Sequence, residues 1–410
     1  MTLHAPTDSP VTACGDSQAR KIAWLVSGQE VFGVKRAVVN LASAVRKSGW
    51  EVRAVCLNPG ESARALTDAE IPTTILNVGP APSLHLHASR LRRLLTLGKM
   101  FHYVHRIVPL VGRALSAERP DAIHIVGSNL LPVAGRVAHK LGAAVFWEIT
   151  TCLGGNYPFR LNQRLYQWVV RHFDILPLPN SRYTASSLGS PPFHSELLYI
   201  GADENTFNPD TVIPISRSVL NIPSDAVVLL AAGRLDPSKG LDRVLQAVVS
   251  LSSQPPDIHI VALGNSPDKD FENRLRQLAA SAGIASRLHI LGHVDNPQCY
   301  YHLADLGISN GLVPESFGLS VVECMMMGRP VIAHAYGGPA ETVLDGATGY
   351  LTSTPNSGDV VLALRRALAD RARWAEIGAR ARRRALENFS LSAQVSNYMR
   401  IVRARLQQFG

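Results

Sequence analysis

Four side chains carry the clearest chemical signal in the sequence: Glu315 and Glu323 in one stretch, Arg234 and Lys239 in another. Glu315 stands in Pro314-Glu315-Ser316-Phe317-Gly318-Leu319, and Glu323 follows eight positions later, ahead of Gly328-Arg329-Pro330-Val331-Ile332-Ala333. The pattern predicts loop, helix and short buried strand. Gly318 allows close backbone approach where the helix begins, and Gly328 with Pro330 ends it. A helix N-terminus offers unpaired N–H groups and partial positive charge to an anion such as a phosphate. Carboxylates beside it accept hydrogen bonds from hydroxyls, as on a ribose or a sugar ring. Together they suit a sugar nucleotide. Alone, two glutamates eight apart also fit a buried amphipathic helix with incidental acids.

Arg234 and Lys239 lie in Gly233-Arg234-Leu235-Asp236-Pro237-Ser238-Lys239-Gly240-Leu241, directly after the apolar run 227–232. A planar guanidinium and a mobile ammonium on one βα loop suit a diphosphate, and would stabilise charge growing on a nucleoside diphosphate leaving group. Asp268-Lys269-Asp270 has the spacing of a metal-binding D-x-D, but it immediately precedes a predicted helix at 271–282, where Asp is a favoured cap. The histidines show no zinc-binding helical pair, and there is no nucleophile elbow, Walker A loop or G-x-G-x-x-G fingerprint. No metal and no cofactor is expected.

Alternating strands and helices must position these groups. Strands are predicted at 21–27, 52–57, 122–126, 143–147, 175–178 and 196–200, with helices at 34–49, 130–141, 161–171 and 182–188 between them. Residues 201–221, Pro-containing and without period, read as a linker. Alternation restarts with strands 227–232, 258–263, 288–291 and 306–309 and helices 241–251, 271–282 and 297–303. Helices 358–368, 373–387 and 391–407 close the chain. Two doubly wound α/β domains result, with a cleft at the strands' carboxyl ends, where such sheets bind ligands. The glycine loop 28–36, with Gly33 and Val34 at the head of a helix, reaches toward the same cleft and fits either a second anion or a plain turn. Glu148, placed after strand 143–147 and followed by Gly154-Gly155-Asn156, fits an acceptor wall or a solvent-facing acid.

At 410 residues the chain exceeds what one core usually serves, and 46% apolar with 18% charged residues is ordinary for a globular protein. Its apolar runs are strand-sized, short of the roughly 20 residues of a membrane span. Residues 1–20 are expected to be disordered, without a signal-peptide core. Five scattered cysteines without a C-x-x-C pair point to a reducing, cytoplasmic compartment. Charge divides unevenly: residues 1–200 hold 21 Lys and Arg against 12 Asp and Glu, residues 201–410 hold 20 of each. Much of the excess lies at 83–119, where seven Lys and Arg and four His alternate with apolar residues and only Glu118 opposes them. Such a segment fits an anionic membrane surface or acceptor, or a crossover helix with a solvated face. No nucleic-acid partner is indicated.

Taken in order, these stretches resemble one family, the group 1 glycosyltransferases: retaining, nucleotide-sugar-dependent enzymes of the GT-B fold, two facing Rossmann-like domains around a cleft. The resemblance rests on Gly233-Arg234-Leu235 with Lys239-Gly240, Glu315 through Glu323, Gly328-Arg329-Pro330, Gly337-Gly338 with Glu341, and Asp345-Gly346 through Leu351; Gly33-Val34-Lys35-Arg36 and Ile200-Gly201-Ala202-Asp203 add to it. It implies a first domain over 21–205 for the acceptor, a second over 206–390 for the donor, and a last helix, 391–410, packing back on the first. It implies further that Arg234 and Lys239 hold the donor diphosphate and that Gly264 lines the donor pocket. Glu315 would bond the transferred sugar, the N–H groups of Phe317, Gly318 and Leu319 would face sugar or phosphate, and Glu323 would take the ribose. Arg234, Lys239 and Glu315 are the candidate catalytic set. The donor would be a UDP- or GDP-sugar, and the acceptor a saccharide, lipid-linked or otherwise anionic, in envelope or polysaccharide synthesis at the inner membrane face. One departure stands out: Trp147-Glu148-Ile149-Thr150 has no His where many members carry one, and His124 lies one strand earlier. A hydrolysing sugar-nucleotide epimerase and a non-catalytic scaffold of the same fold are the alternatives.

Overall fold

A computed structural model describes residues 20–82, 90–153, 161–189, 194–253 and 256–408. The expectations for residues 1–19 and for Gly154-Gly155-Asn156 lie outside them. The first half runs β1 (Lys21–Val26), α1 (Phe32–Lys47), β2 (Glu51–Cys56), α2 (Glu61–Asp68), β3 (Thr73–Ile75), α3 (Arg90–Ser116), β4 (Ala122–Val126), α4 (Leu131–Leu141), β5 (Ala144–Ile149), α5 (Leu161–His172), β6 (Ile175–Pro179) and α6 (Arg182–Ser186). The second runs β7 (Val227–Ala232), α7 (Leu241–Leu251), β8 (Ile258–Leu263), α8 (Lys269–Ser281), β9 (Leu288–Gly292), α9 (Pro297–Leu303), β10 (Leu306–Ser309), α10 (Leu319–Met326), β11 (Val331–His334), α11 (Pro339–Thr342), β12 (Gly349–Thr352), α12 (Ser357–Ala369), α13 (Trp374–Phe389) and α14 (Leu391–Leu406).

The strands form two six-stranded sheets, ordered β3-β2-β1-β4-β5-β6 and β12-β11-β10-β7-β8-β9. Pairing is parallel throughout. Central strands such as β4 and β8 are buried on both faces, which is why they read as unbroken apolar runs rather than alternating ones. This is the expected pair of doubly wound α/β domains. The sequence reading passes over α2 and the short edge strand β3. The stretch predicted as a strand at 196–200 runs extended beside β6, with Glu196 N–H on Pro177 O (3.1 Å) and Leu198 N–H on Pro179 O (3.0 Å), without joining the sheet.

The chain passes between the domains near 202 and again near 390, and the passages are paired: Ala202 N–H donates to Phe389 O (2.9 Å) and Leu391 N–H to Ala202 O (2.8 Å). Helix α14 then lies in the first domain's core, where Tyr398, Met399, Ile401 and Val402 pack with Trp24, Leu41 and Phe146. Residue identity dictates this: Tyr398, Ile401 and Val402 recur at helical spacing and are all but fully buried.

Candidate active site

Carboxyl ends of β7 and β10 open into one pocket, lined by Gly233, Arg234, Lys239, Ser309, Asn310 and Glu315 among others. Backbone chemistry sets its shape. After β7, Asp236 caps a short 3-10 turn, its Oδ1 accepting from Ser238 N–H at 2.9 Å. Gly240 ends that turn in the left-handed region (φ 68°), where a Cβ would stand 2.3 Å from Asn310 O. Leu312 N–H donates to Ser238 O (2.8 Å), stitching the β10 loop to the β7 loop. The result presents Lys239 Nζ to Glu315 Oε1 at 2.5 Å. Arg234 remains half exposed at the pocket mouth, its Nη2 3.2 Å from Asp236 Oδ2. Gly264 belongs to the frame: its φ is 129° and a Cβ would meet Gly233 O at 2.0 Å.

Glu315 itself is held by the next loop. It forms a parallel bridge to Gly337, and Gly338 N–H donates to Glu315 O at 2.8 Å. Side chains at Gly337 or Gly338 would stand 2.3 Å from Glu315 O and 2.2 Å from Phe317 Cα, so the glycine pair follows from contact with the glutamate's own backbone. Gly318, at φ 88°, begins α10, and the N–H groups of Leu319 and Ser320 precede its first internal bond, Val321 N–H to Gly318 O at 3.0 Å. Phe317 is buried against Tyr199 and Phe389.

The loops that shape this pocket also grip the first domain. Ser316 Oγ donates to Thr150 O (2.7 Å) and Ser181 Oγ to Ser316 O (2.5 Å). Glu341 accepts from Arg182 N–H (3.0 Å), Tyr183 N–H (2.8 Å) and the Tyr199 hydroxyl (3.1 Å), so a carboxylate of the second domain caps helix α6 of the first. In the sequence Glu341 stands out only as a member of the Gly337-Gly338 stretch. Its oxygens face the other domain, a relation across 159 positions that local pattern does not carry.

Glu323 lies on the buried side of α10, only 4% exposed. Its Oε2 accepts from the Tyr301 hydroxyl at 2.9 Å, and its Oε1 pairs with Arg36 Nη2 from α1. Burial raises its pKa, while Arg36 and then Tyr301 hold it down. Arg36 lines an interdomain pocket with Glu323, Leu319, Asn40 and Asp203.

Gly33 and Val34 open α1, where no side chain caps the helix and Gly33 has no atom near a would-be Cβ, so the turn is open to solvent. Glu148 is elsewhere than its expected loop. β5 continues to Ile149, and strand alternation turns Glu148 toward α14, where it is 1% exposed. His124 Nε2 sits 3.0 Å from Glu148 Oε2, and the other ring nitrogen 3.0 Å from the Tyr398 hydroxyl. Trp24 stacks on the imidazole. His124 is thus the core partner of Glu148, and neither faces the cleft. Asp268 caps α8, accepting from Phe271 N–H at 2.9 Å.

On the first domain's outer side, α3 buries Ile107, Val111 and Leu115 and leaves Phe101 66% exposed. A groove between α3 and α4 has an apolar floor of Val108, Pro109 and Phe173, with His105, Arg136, His139 and Lys140 around it. Among the described residues no helix is long and apolar enough to cross a membrane.

A sequence profile described as "Glycosyl transferases group 1" matches residues 212–384, and one described as "Glycosyl transferase 4-like domain" matches residues 32–176. The lipopolysaccharide 1,2-N-acetylglucosaminetransferase of Salmonella typhimurium is 38% identical over 164 residues, 38% of this chain and 43% of that protein. The D-inositol 3-phosphate glycosyltransferase of Geodermatophilus obscurus is 33% identical over 202 residues, 47% of this chain and 44% of that protein. Each match thus spans less than half of the relative's length. Anabaena Alr3699/HepE, solved in complex with UDP, superposes with a TM-score of 0.77 over 94% of this chain and 100% of that one, at 20% identity.

Proposed function

The chain belongs to the group 1 glycosyltransferases of GT-B type, and from that premise we propose that it transfers a sugar from a nucleotide-sugar donor, a UDP- or GDP-sugar, to a hydroxyl of a saccharide acceptor with retention of anomeric configuration. The observation that carries the proposal is the convergence of Arg234, Lys239 and Glu315 on one pocket at the carboxyl ends of β7 and β10. In this reading Arg234 and Lys239 neutralise the donor diphosphate and the charge that grows on it as the glycosidic bond breaks, without a metal ion. Lys239 exchanges one carboxylate for a doubly charged diphosphate, which frees Glu315 to accept hydrogen bonds from the transferred sugar. The N–H groups of Phe317, Gly318 and Leu319 face sugar or phosphate, Gly264 keeps the adjoining backbone close, and Glu323 takes the ribose hydroxyls. Gly33 and Val34 offer the open turn of α1 from the opposite domain. UDP bound by the HepE structure and the lipopolysaccharide acceptor named for the Salmonella relative support this assignment.

The acceptor is lipid-linked or otherwise anionic, and the enzyme works at the cytoplasmic face of a membrane as a peripheral protein. Support comes from the charge excess of residues 1–200 and from the basic, apolar-floored groove between α3 and α4. Release of UDP or GDP from a panel of sugar nucleotides tests the chemistry. Native protein should release nucleotide from at least one donor and Lys239→Ala should do so at least about a hundredfold more slowly; a Lys239→Ala enzyme of native activity sinks the mechanism. Sedimentation with vesicles of anionic and of neutral lipid tests the membrane clause, and equal weak binding to both at low salt removes it.

A further inference from the structure

Arg36 is the one first-domain side chain whose charge reaches a candidate donor-binding acid of the second domain among the described ion pairs. It lies one turn into α1, beside Ala37, which is buried in the second domain's core cluster rather than in the first's. That packing brings α1 against α10. The guanidinium carbon stands 5.9 Å from the centre of the Phe207 ring, a cation–π contact at the hinge that fixes its direction. From there Nη2 binds Oε1 of Glu323, while Tyr301 donates to Oε2. An ionised carboxylate has about four acceptor positions, so two partners leave room for the two hydroxyls of a ribose. The adjacent pocket, lined by Arg36, Asn40, Asp203, Leu319 and Glu323, is where such a group would enter.

We propose that Arg36 is a positioning residue for the donor: reaching across from the first domain, it holds the Glu323 carboxylate ionised and aimed into the interdomain pocket, so that nucleotide binding by the second domain depends on a cation supplied by the first. This rests on the reading of Glu323 as the ribose-binding acid. The electrostatic reasoning is direct. Burial favours the protonated acid, and Arg36 is the largest opposing influence, ahead of Tyr301. Around Glu323 the other titratable or charged groups are Tyr301 on α9, Cys324 on α10, Asp203 in the hinge loop, Arg382 on α13, bound to Met326 O, Glu341 on α11, bound to α6, and Arg329, bound to His302 O. Arg382 and Arg329 are committed to carbonyls, so a neutral residue at position 36 leaves Tyr301 alone to stabilise the carboxylate, and it protonates at higher pH. A protonated Glu323 offers fewer acceptor positions to the ribose.

Titration calorimetry with UDP and GDP from about pH 6 to about pH 9 tests this on the full chain. For whichever nucleotide the native protein binds, Arg36→Met should bind about tenfold more weakly at neutral pH, the equivalent of one pKa unit, and recover as pH rises. Arg36→Lys should keep most of the affinity. Loss without recovery at high pH means a structural role and overturns the proposal, as does native affinity at every pH. Tighter binding by Arg36→Met also overturns it, because Arg36 would then be blocking the pocket. Glu323→Gln separates the two readings. If it binds nucleotide as the native chain does, the ribose assignment fails and the proposal falls with it. If Glu323→Gln loses affinity while Arg36→Met shows a native, flat profile, only the proposal fails. Should Arg36→Met not fold, Arg36→Gln must show the same pH-dependent loss, and a flat profile overturns the proposal.

Discussion

The two sides of the cleft are built differently. On the second-domain side, the charged groups stand in loops beyond the carboxyl ends of β7 and β10, and those loops lock one another through backbone contacts at Gly264, Gly337 and Gly338. Arg234, Lys239 and Glu315 line one pocket because the loops that carry them are held together there. On the first-domain side, the acid expected in the cleft, Glu148, stands inside a strand, and alternation sends it under the sheet to His124 and Tyr398. A charged residue in a glycine-framed loop is available to a ligand. The same residue type one position inside a strand becomes part of the core and must find a partner there.

Breaking that contrast is straightforward. The largest expected effect is on stability: His124→Ala leaves Glu148 buried without its hydrogen-bond partner and opens a cavity against Trp24, and about 2–5 kcal/mol should be lost in denaturant unfolding. Nucleotide affinity of the remaining folded protein should be untouched. A stable His124→Ala protein with weakened nucleotide binding would mean that this pair serves the cleft after all. Lys239→Ala is the mirror image. Turnover should fall by roughly 10²–10³-fold, about 2.7–4 kcal/mol of activation free energy, with little change in melting temperature, since its only described ion-pair partner is the partly exposed Glu315.

Glu341→Ala should fall between these in character. Removing the carboxylate leaves Arg182 N–H, Tyr183 N–H and the Tyr199 hydroxyl without their acceptor, at about 1–3 kcal/mol. Because the bonds cross between domains, small-angle scattering should report a more open pair of domains; an unchanged scattering profile would show that the Ser316 contacts hold the domains together by themselves. The smallest effect at neutral pH comes from the second domain's own imidazole pair, buried His259 and half-buried His289, stacked on β8 and β9 with nitrogens 3.1 Å apart. Burial holds His259 down at about 4, below the ordinary 6.5. The unfolded chain therefore binds the proton first, so stability is fully present above about pH 6.5 and declines as pH falls toward about 4. His259→Gln should flatten that part of the stability profile, and an unchanged slope would place the acid sensitivity elsewhere.

Much of the fold was legible because buried parallel strands are continuous apolar runs, and because Gly and Pro punctuate the turns between them. The pocket loops were legible for a related reason: within each loop the glycines and charges lie close in sequence, Gly233, Arg234, Lys239 and Gly240 in one and Glu315 and Gly318 in the other, so local spacing carries each loop's geometry. What escaped were relations between distant residues. Arg36 and Glu323 are 287 positions apart, and nothing in the helix containing Arg36 marks that one as different from Lys35, which pairs with Glu61 on the surface of its own domain. Glu341 is legible only as part of the Gly337-Gly338 stretch until α6 is placed opposite it.

By itself, then, the sequence determined the alternation of elements, the two-domain division into doubly wound sheets and the cation- and acid-bearing loops of the second domain, because each is written in local periodicity or in the backbone freedom of glycine. Only the tertiary structure decided which face each strand residue turns to and which charges meet across the cleft. A shift of two residues in where β5 ends takes Glu148 from loop to core, and the approach of α1 to α10 gives Glu323 a partner from the other domain. Burial and charge pairing depend on what lies opposite, and a chain read in order does not contain its own neighbours.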